Sequence, residues 1–305
     1  MSLALVFPGQ GAQAPGMGIG LLDAGSPGNA MAREASGLVG LDLVRLACEA
    51  GADQIRPTEV AQPLLLLHSA ALLETVPSDT RARVTAVAGP SLGEYTGLIA
   101  SGSLDWREAL QLVRERGLAM AEAARGEGQG MSAVLGADEE AVAAALNGAD
   151  SGVAVVANIN APGQVVISGH LEALEAAGER LKAAGARRVM PLEVAGAFHS
   201  PLMADAALRL ATAIDAAPLR AGAPQAFNVD GVVRTEPLDI AAALRLQLTS
   251  PVRWTACIQT LLDRGVDKFI EVGPGTTLSA MGKRINPDVS WTAAATPEAL
   301  AAVGA

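Results

Sequence analysis

The stretch best suited to do chemistry is positions 89–93, Gly-Pro-Ser-Leu-Gly, which places Ser91 two positions from a glycine on each side. It follows the apolar run 84–88, a predicted strand, and precedes a predicted helix over 92–100. A serine on a tight turn between strand and helix needs small neighbours, because a flanking Cβ would collide with the following helix. The backbone N–H groups that begin this helix point to where an oxyanion would form. The pattern therefore predicts a nucleophile elbow for acyl transfer.

The composition predicts the α/β class. Half of the 305 residues are hydrophobic and few are aromatic, as expected for helices packed around a buried sheet. The net charge of −10 disfavours binding to nucleic acid or to anionic membranes. Cys48 and Cys257 have no metal-ligand or disulfide spacing, and no signal or membrane-spanning segment is visible. We therefore expect no metal site and a cytoplasmic location.

The hydrophobic period changes in the middle of the chain, which predicts two domains. Strand 3–7 and helices over 31–50, 64–74 and 106–124 precede glycine-rich residues 126–130. The elements then follow the order βαββαβ, which is the ferredoxin-like arrangement. Their predicted ranges are strand 131–135, helix 138–146, strands 153–159 and 164–168, helix 171–184 and strand 187–192. We expect a large domain of residues 1–126 and 193–305, with residues 127–192 inserted as a small domain.

The remainder of the chain returns to the large domain. Helices are predicted over 203–216 and 240–248, then a strand over 268–272 and a helix from Thr276. The last dozen residues are rich in alanine and are expected to be loosely held.

Eight separated motifs carry a resemblance that covers essentially the whole chain. They resemble those of the malonyl-CoA:acyl carrier protein transacylases, the acyltransferases of type II fatty-acid synthesis. The resemblance implies an α/β-hydrolase-like large domain with a ferredoxin-like small domain. The motifs are FPGQGAQ (7–13), QP (62–63), GPSLGEY (89–95), RG (116–117), NINAPGQVVISG (158–169), GAFHSPLM (196–203), QLTSPVRW (247–254) and EVGPG (271–275).

The resemblance makes Ser91 the nucleophile and His199 its base. Residue chemistry agrees, because a serine hydroxyl is a weak nucleophile until a base within hydrogen-bond reach takes its proton. His199 lies in a predicted loop, whereas His68 and His170 are interpreted as structural histidines.

The resemblance also supplies the groups around this pair. It places the backbone carbonyl of Gln247 against the histidine, where a serine hydrolase would have an acid. The backbone N–H of Leu92 and a group of Gln10 would hold the oxyanion.

Arg116 matches the arginine that grips the free carboxylate of malonate, since a guanidinium can form two parallel bonds with a carboxylate. Arg114 is interpreted as a solvated helix residue. Gln62 and Asn158 match pocket positions, although holding a loop is an alternative role for each. The resemblance associates Leu92 and Phe198 with a preference for malonyl over methylmalonyl groups.

The predicted function is transfer of malonyl from malonyl-CoA to the phosphopantetheine thiol of a holo-acyl carrier protein, through a malonyl-serine. No permanently bound cofactor is expected, and the default oligomeric state is a monomer. Three alternatives remain open. One is a discrete acyltransferase of a polyketide synthase or malonate decarboxylase system, and another is a serine esterase. The third is an impaired homologue that acts as a binding partner, because Pro90 replaces the family's usual histidine.

Overall fold

The computed structural model describes residues 2–126, 128–147 and 152–304. None of the helices in this described part of the chain combines the length and the hydrophobicity that a membrane span requires. Its strands are β1 (Ser2–Val6), β2 (Val84–Ala88), β3 (Gln129–Leu135), β4 (Ala154–Ala161), β5 (Gln164–His170), β6 (Arg188–Pro191), β7 (Gln225–Ala226), β8 (Val233–Arg234), β9 (Val266–Val272) and β10 (Ser290–Ala294).

A 3₁₀ turn, Pro201–Met203, lies before the tenth helix. The helices are α1 (Asn29–Val39), α2 (Leu43–Cys48), α3 (Ala52–Ile55), α4 (Thr58–Glu74), α5 (Ser78–Arg81), α6 (Gly93–Ala100), α7 (Trp106–Ala123), α8 (Glu139–Leu146), α9 (Leu171–Ala183), α10 (Ala204–Ala216), α11 (Pro237–Gln247), α12 (Trp254–Asp263), α13 (Thr277–Ile285) and α14 (Pro297–Gly304).

The larger sheet has the strand order β10-β9-β1-β2-β7-β8. β1 lies in its interior and pairs in parallel with β2 and β9, and only the β7–β8 pair is antiparallel. The apolar residues of β1 are buried, as expected for a parallel strand covered on both faces. Parallel pairing brings the carboxyl ends of β1, β2 and β9 to one edge. The turns after these three strands contact one another there.

The smaller sheet has the strand order β4-β5-β3-β6 and is antiparallel throughout. Helices α8 and α9 pack on it and share a separate apolar core with its strands. Along the chain these elements follow the predicted order βαββαβ. The boundaries after residues 126 and 192 stay predictions, and residues 1, 127, 148–151 and 305 of the predicted ranges lie outside the described residues.

Backbone hydrogen bonds join the two sheets through β4. The N–H of Ile159 donates to the carbonyl of Val252, and the Val252 N–H donates to the carbonyl of Ala157. Val252 precedes α12, which packs against the larger sheet. These bonds fix β4, and with it the predicted pocket residue Asn158, relative to the larger sheet.

Two helices differ from the sequence prediction. The helix expected over 31–50 is divided, because Gly40 takes a left-handed φ of +66° that ends α1, and Asp42 caps α2. α4 begins at Thr58, before Pro63. Proline cannot donate to the carbonyl four residues earlier, that of Glu59. Arg114 Nη1 donates to this carbonyl at 2.6 Å, so the expectation that Arg114 is merely solvated is wrong.

The expectation of a loosely held C-terminus is also wrong. β10 pairs with β9, and α14 follows it with Leu300 fully buried in the main apolar core. Alanine favours helix strongly, and Leu300, with Ala299 and Val303 packed beside it on the core, gives this short helix a buried face. Lys268 also donates to the carbonyl of Val303.

Candidate active site

Ser91 lies in the turn between β2 and α6 with a φ of +52°. A Cβ on Gly89 would overlap the backbone of Gly93, which is the collision with the helix that the sequence predicts. A Cβ on Gly93 would instead overlap the carbonyl of Phe7, just after β1. The first glycine therefore permits the sharp turn, and the second lets α6 pack against the end of β1.

His199 lies beside the serine. Its Nε2 is 2.8 Å from Ser91 Oγ, and its Nδ1 is 3.0 Å from the backbone carbonyl of Gln247. Since a carbonyl only accepts, Nδ1 carries the proton and Nε2 is left to accept from the hydroxyl. Burial, helped by the positive charge of Arg116, lowers the pKa of His199 to about 4, so the imidazole is neutral at physiological pH.

Backbone strain is concentrated at these two residues. Among the described residues, Ser91 and His199 are the ones other than glycine that have a positive φ, +52° and +57°. Such a conformation costs of order 1–3 kcal/mol and persists where the surrounding structure fixes it. It brings two loops from distant parts of the sequence into hydrogen-bond contact.

Arg116 is fully buried in α7, and its guanidinium reaches the same hydroxyl. Nη2 donates to Ser91 Oγ at 2.9 Å and to Gln247 Oε1 at 3.0 Å, and Nη1 donates to Gln62 Oε1 at 2.7 Å. No carboxylate of the described residues forms an ion pair with Arg116. Burial lowers the pKa of Arg116 from its ordinary value, yet a guanidinium stays protonated in proteins.

Two backbone N–H groups, those of Leu92 and Gln10, are candidates for the predicted oxyanion site. Leu92 is the N-cap of α6, and Gln10 lies in the turn after β1. In the described ranges neither N–H donates a hydrogen bond to the protein. The two turns approach closely, since a Cβ on Gly9 would lie 2.8 Å from the Pro90 carbonyl oxygen and 4.0 Å from the Leu92 nitrogen.

Two residues that hold the elbow were missed by the sequence analysis. Asn228 Oδ1 accepts from the Ser91 N–H at 2.5 Å, and its Nδ2 donates to the Gly89 carbonyl at 2.9 Å. Glu94, buried in the first turn of α6, accepts from the Asn228 N–H at 2.6 Å. The acidic residue inside the apolar motif GPSLGEY was a signal for Glu94, but nothing in the sequence indicates Asn228.

Ser91 and His199 open into a cavity of about 320 Å³. Pro90 and Phe198 line it near the serine, and Asn158 of β4 lines it from the smaller sheet. Other apolar lining side chains come from the smaller sheet, α7 and α13, among them Met120, Met131, Val166, Leu278 and Met281. Polar side chains line it too, among them Gln10, Gln13, Arg56, Asn160, Glu193 and Thr277. Gln62 does not line this cavity and instead contacts Arg116, Met120 and, at 3.5 Å, Gln10.

The other two histidines lie outside the cavity lining. His68 in α4 contacts the Met17 carbonyl through Nε2 at 3.0 Å, and His170 Nδ1 accepts from the Val153 N–H at 3.0 Å. Both contacts are with the backbone, as expected for structural histidines.

The arrangement defines an acyltransferase. Residues 4–296 match the family described as acyl transferase domain, and the chain belongs to this family. A relative from Bacillus subtilis (strain 168), described as a malonyl CoA-acyl carrier protein transacylase, is 40% identical over 302 residues, 98% of this chain and 95% of the relative. One of the same description from Escherichia coli (strain K12) is 39% identical over 98% of this chain and 97% of its own length.

Solved structures agree over the whole fold. A crystal structure of an acyl carrier protein S-malonyltransferase from Vibrio cholerae superimposes with a TM-score of 0.93 at 38% identity, covering 99% of this chain and 100% of that one. A complex of a type II PKS acyl-carrier protein with its malonyl-transacylase has a TM-score of 0.93 at 34% identity, covering 99% and 98%. These comparisons confirm the predicted fold class and the family resemblance.

Proposed function

We propose that this chain transfers the malonyl group of malonyl-CoA to the phosphopantetheine thiol of a holo-acyl carrier protein. Ser91 is the nucleophile and carries the malonyl group between the two half-reactions. The names of the relatives and the complex of a similar malonyl-transacylase with its carrier protein support this proposal. Malonyl-CoA is a substrate in this scheme, and the chemistry uses no permanently bound cofactor.

In the first half-reaction the neutral His199 Nε2 takes the proton of the Ser91 hydroxyl as Oγ attacks the thioester carbonyl. The tetrahedral oxyanion accepts hydrogen bonds from the Leu92 and Gln10 backbone N–H groups. The carbon–sulfur bond then breaks, and the coenzyme A thiolate takes the proton from His199. The second half-reaction runs in reverse, with the carrier's thiol giving its proton to His199 and its sulfur displacing Ser91. One donor in such an oxyanion site typically lowers the activation free energy by about 2.7–4 kcal/mol.

The observation that carries the proposal is the buried cation next to the nucleophile. Arg116 is fully buried, contacts Ser91 Oγ and has no ion-pair partner among the described residues. A buried charge without a partner is costly, and an acyl group with a free carboxylate would supply that partner in the site. Malonyl has this carboxylate, whereas acetyl does not.

The remaining site residues line the acyl pocket or lie directly behind it. Phe198 is nearly fully buried and narrows the cavity beside His199, which leaves less room for an α-methyl branch. Gln62 holds Nη1 of Arg116, and Asn158 presents a polar side chain from β4. Leu92 adds an aliphatic side chain directly after the nucleophile.

An esterase is the weaker alternative. The His199 imidazole is oriented by the neutral carbonyl of Gln247, whereas the hydrolase triad uses a carboxylate there. A neutral orienter gives a milder base, which suits an enzyme that must protect its acyl intermediate from water.

The carrier could serve fatty-acid synthesis or a polyketide or malonate decarboxylase system. The chemistry is the same in each case, and fatty-acid synthesis is the one we propose. Action as a monomer in the cytoplasm belongs to the same proposal.

The test compares Arg116→Lys with Arg114→Lys. Both variants keep the positive charge on α7, but only Arg116 loses a guanidinium fork inside the site. We expect Arg116→Lys to lower kcat/KM for malonyl-CoA at least tenfold more than for acetyl-CoA, because acetyl has no carboxylate to pair. Arg114→Lys should leave this malonyl-to-acetyl ratio within about twofold of the wild type, since an ammonium can still donate to the Glu59 carbonyl. An equal loss of both substrates in Arg116→Lys would show that Arg116 is structural.

A further inference from the structure

Glu94 is a buried carboxylate, and the side chain of Gln247 connects it to Arg116 in the active site. It lies in the first turn of α6 and is 1% exposed. Its Oε2 accepts from the Asn228 N–H at 2.6 Å, and its Oε1 accepts from Gln247 Nε2 at 2.7 Å. The catalytic steps described above use neither this carboxylate nor the Gln247 side chain.

The partners of the Gln247 amide fix which way it points. Nε2 donates to Glu94 Oε1 and to the Ser91 carbonyl at 3.0 Å, while Oε1 accepts from Arg116 Nη2 at 3.0 Å. Two acceptors face the nitrogen and one donor faces the oxygen, so a flipped amide would lose all three bonds. The carboxylate is therefore one of the groups that keep an acceptor directed at Arg116.

The amide also separates two buried charges. Glu94 attracts Arg116 electrostatically but makes no ion pair with it. A carboxylate in direct contact would occupy the guanidinium and compete with the carboxylate of an incoming acyl group. Above about pH 8, where Glu94 is ionised, its negative charge compensates the buried cation across one side chain while Nη2 stays directed at Ser91 Oγ.

Both carboxyl oxygens of Glu94 face N–H donors, which suits the ionised form. Burial raises the pKa of Glu94 to about 8, and the bonds from Asn228 and Gln247 and the charge of Arg116 oppose this rise. Kinetics at about pH 9 therefore report on the carboxylate form.

We propose that Glu94 is a positioning residue for malonyl recognition: acting through the Gln247 amide, it directs the Arg116 guanidinium toward the acyl group on Ser91. Glu94 does not itself touch the substrate. The inference rests on the proposed role of Arg116 and adds to it the residue that sets the direction of the guanidinium.

The isosteric change Glu94→Gln tests this proposal. A glutamine must keep its oxygen toward the Asn228 N–H, so its amino group faces Gln247. The Gln247 amide then either clashes with that group or flips, and a flip turns its own amino group toward Arg116. We expect the malonyl-to-acetyl ratio of kcat/KM to fall at least tenfold at about pH 9. A merely destabilised elbow would lower both substrates alike, so an unchanged ratio overturns the proposal.

Glu115→Gln is the matched control, because it also removes one negative charge, here from α7 next to Arg116 in sequence. Glu115 faces outward and pairs with Arg209, so its ratio should stay within about twofold of the wild type. If Glu115→Gln lowered the ratio as much as Glu94→Gln, a general loss of negative charge would explain the effect and the proposal would fail.

A double-mutant cycle tests the route through Gln247. Gln247→Met removes the amide but keeps the backbone carbonyl that His199 contacts. In that background Glu94→Gln should change the ratio by less than about threefold, since the mediating group is already absent. Full additivity would contradict the route. Running Arg116→Lys in parallel separates the two failures: if it keeps the wild-type ratio, the proposed function fails, and if only Glu94→Gln keeps it, this inference fails alone.

Discussion

The Ser91 hydroxyl lies between one hydrogen-bond acceptor and one donor. His199 Nε2, left without a proton by the Nδ1 bond, accepts from the hydroxyl, while Arg116 Nη2 donates to Oγ. A positive charge at hydrogen-bond distance favours loss of the hydroxyl proton. Within our proposal the same guanidinium binds the malonyl carboxylate, so one residue links activation of the nucleophile with choice of the substrate.

Pro90 is compatible with this elbow. Proline lacks an N–H, but the elbow bonds at this point come from neighbouring groups: the Ser91 N–H donates to Asn228, and the Pro90 carbonyl accepts from the Gly93 N–H at 2.9 Å. Pro90 also lines the cavity, so its side chain affects the shape of the pocket. The backbone arrangement therefore gives no support to the impaired binding partner that Pro90 suggested from sequence.

Several site residues could be read from the sequence and others could not. Ser91 and its glycines follow from local geometry, because the constraint lies within five residues. The roles of Arg116 and Gln247 came only from the resemblance, since nothing local brings them to Ser91. Asn228 bonds a residue 137 positions away, and no period or motif encodes that contact. These role assignments stay predictions until the variants are measured.

At the scale of elements, the elbow depends on how tightly α6 packs against β1. Gly93→Ala would place a methyl group against the Phe7 carbonyl, which is backbone and cannot rotate away. We expect a loss of about 3 kcal/mol or more in the free energy of unfolding, at the upper end for overpacking, together with loss of acyl transfer. Urea unfolding followed by circular dichroism measures the first effect.

The control for this variant is Gly37→Ala in α1. A Cβ there has no neighbour within 4 Å, so the change should stabilise the helix by about 0.5–1 kcal/mol. An unfolding midpoint of Gly93→Ala equal to that of the wild type would show that the elbow does not depend on this close approach.

Periodicity predicted the long elements and failed where a single residue or a contact with a distant residue determines where an element begins. The small domain's βαββαβ order was visible because each element has a clear period. α4 was expected to start after Pro63, but Arg114 from α7 satisfies the carbonyl that proline leaves free. The two-residue strands β7 and β8 are too short to carry a period, and α12 and β10 were not predicted at all. Tertiary contacts define these elements.

At the scale of the whole molecule, the cavity exists because the two sheets meet. The larger sheet supplies the elbow and the turn after β1, while β3, β4 and β5 supply Met131, Asn158 and Val166. The backbone bonds between β4 and Val252 hold this relation. The smaller sheet therefore completes the cavity beside Ser91.

Buried titrating groups make the stability of the whole molecule depend on pH. Burial lowers the pKa of His68 and of His199 from 6.5 to about 4, and raises that of Glu94 from 4.5 to about 8. Between about pH 4.5 and 6.5 the unfolded chain binds more protons, because two histidines outweigh one carboxyl, so stability rises with pH. From pH 6.5 to about 8 only Glu94 acts, the native state binds more protons, and stability falls as pH rises. We expect a maximum near pH 6.5.

Urea unfolding near pH 5, 6.5 and 8 tests this expectation. Each arm should change by at most about 1.4 kcal/mol per pH unit, the value for one proton. Glu94→Gln should abolish the decrease above pH 6.5 and keep the decrease toward acid. A midpoint that rises steadily from pH 5 to 8 in the wild type would contradict the raised pKa of the buried Glu94.

The most direct test of the central claim is the mass of the protein after mixing with malonyl-CoA in the absence of a carrier. We expect the intact mass to increase by one malonyl group, peptide analysis to locate it on Ser91, and addition of holo-acyl carrier protein to remove it. Ser91→Ala should show no increase. A wild-type protein that never becomes acylated, or a malonyl group that still attaches to Ser91→Ala, would contradict the account.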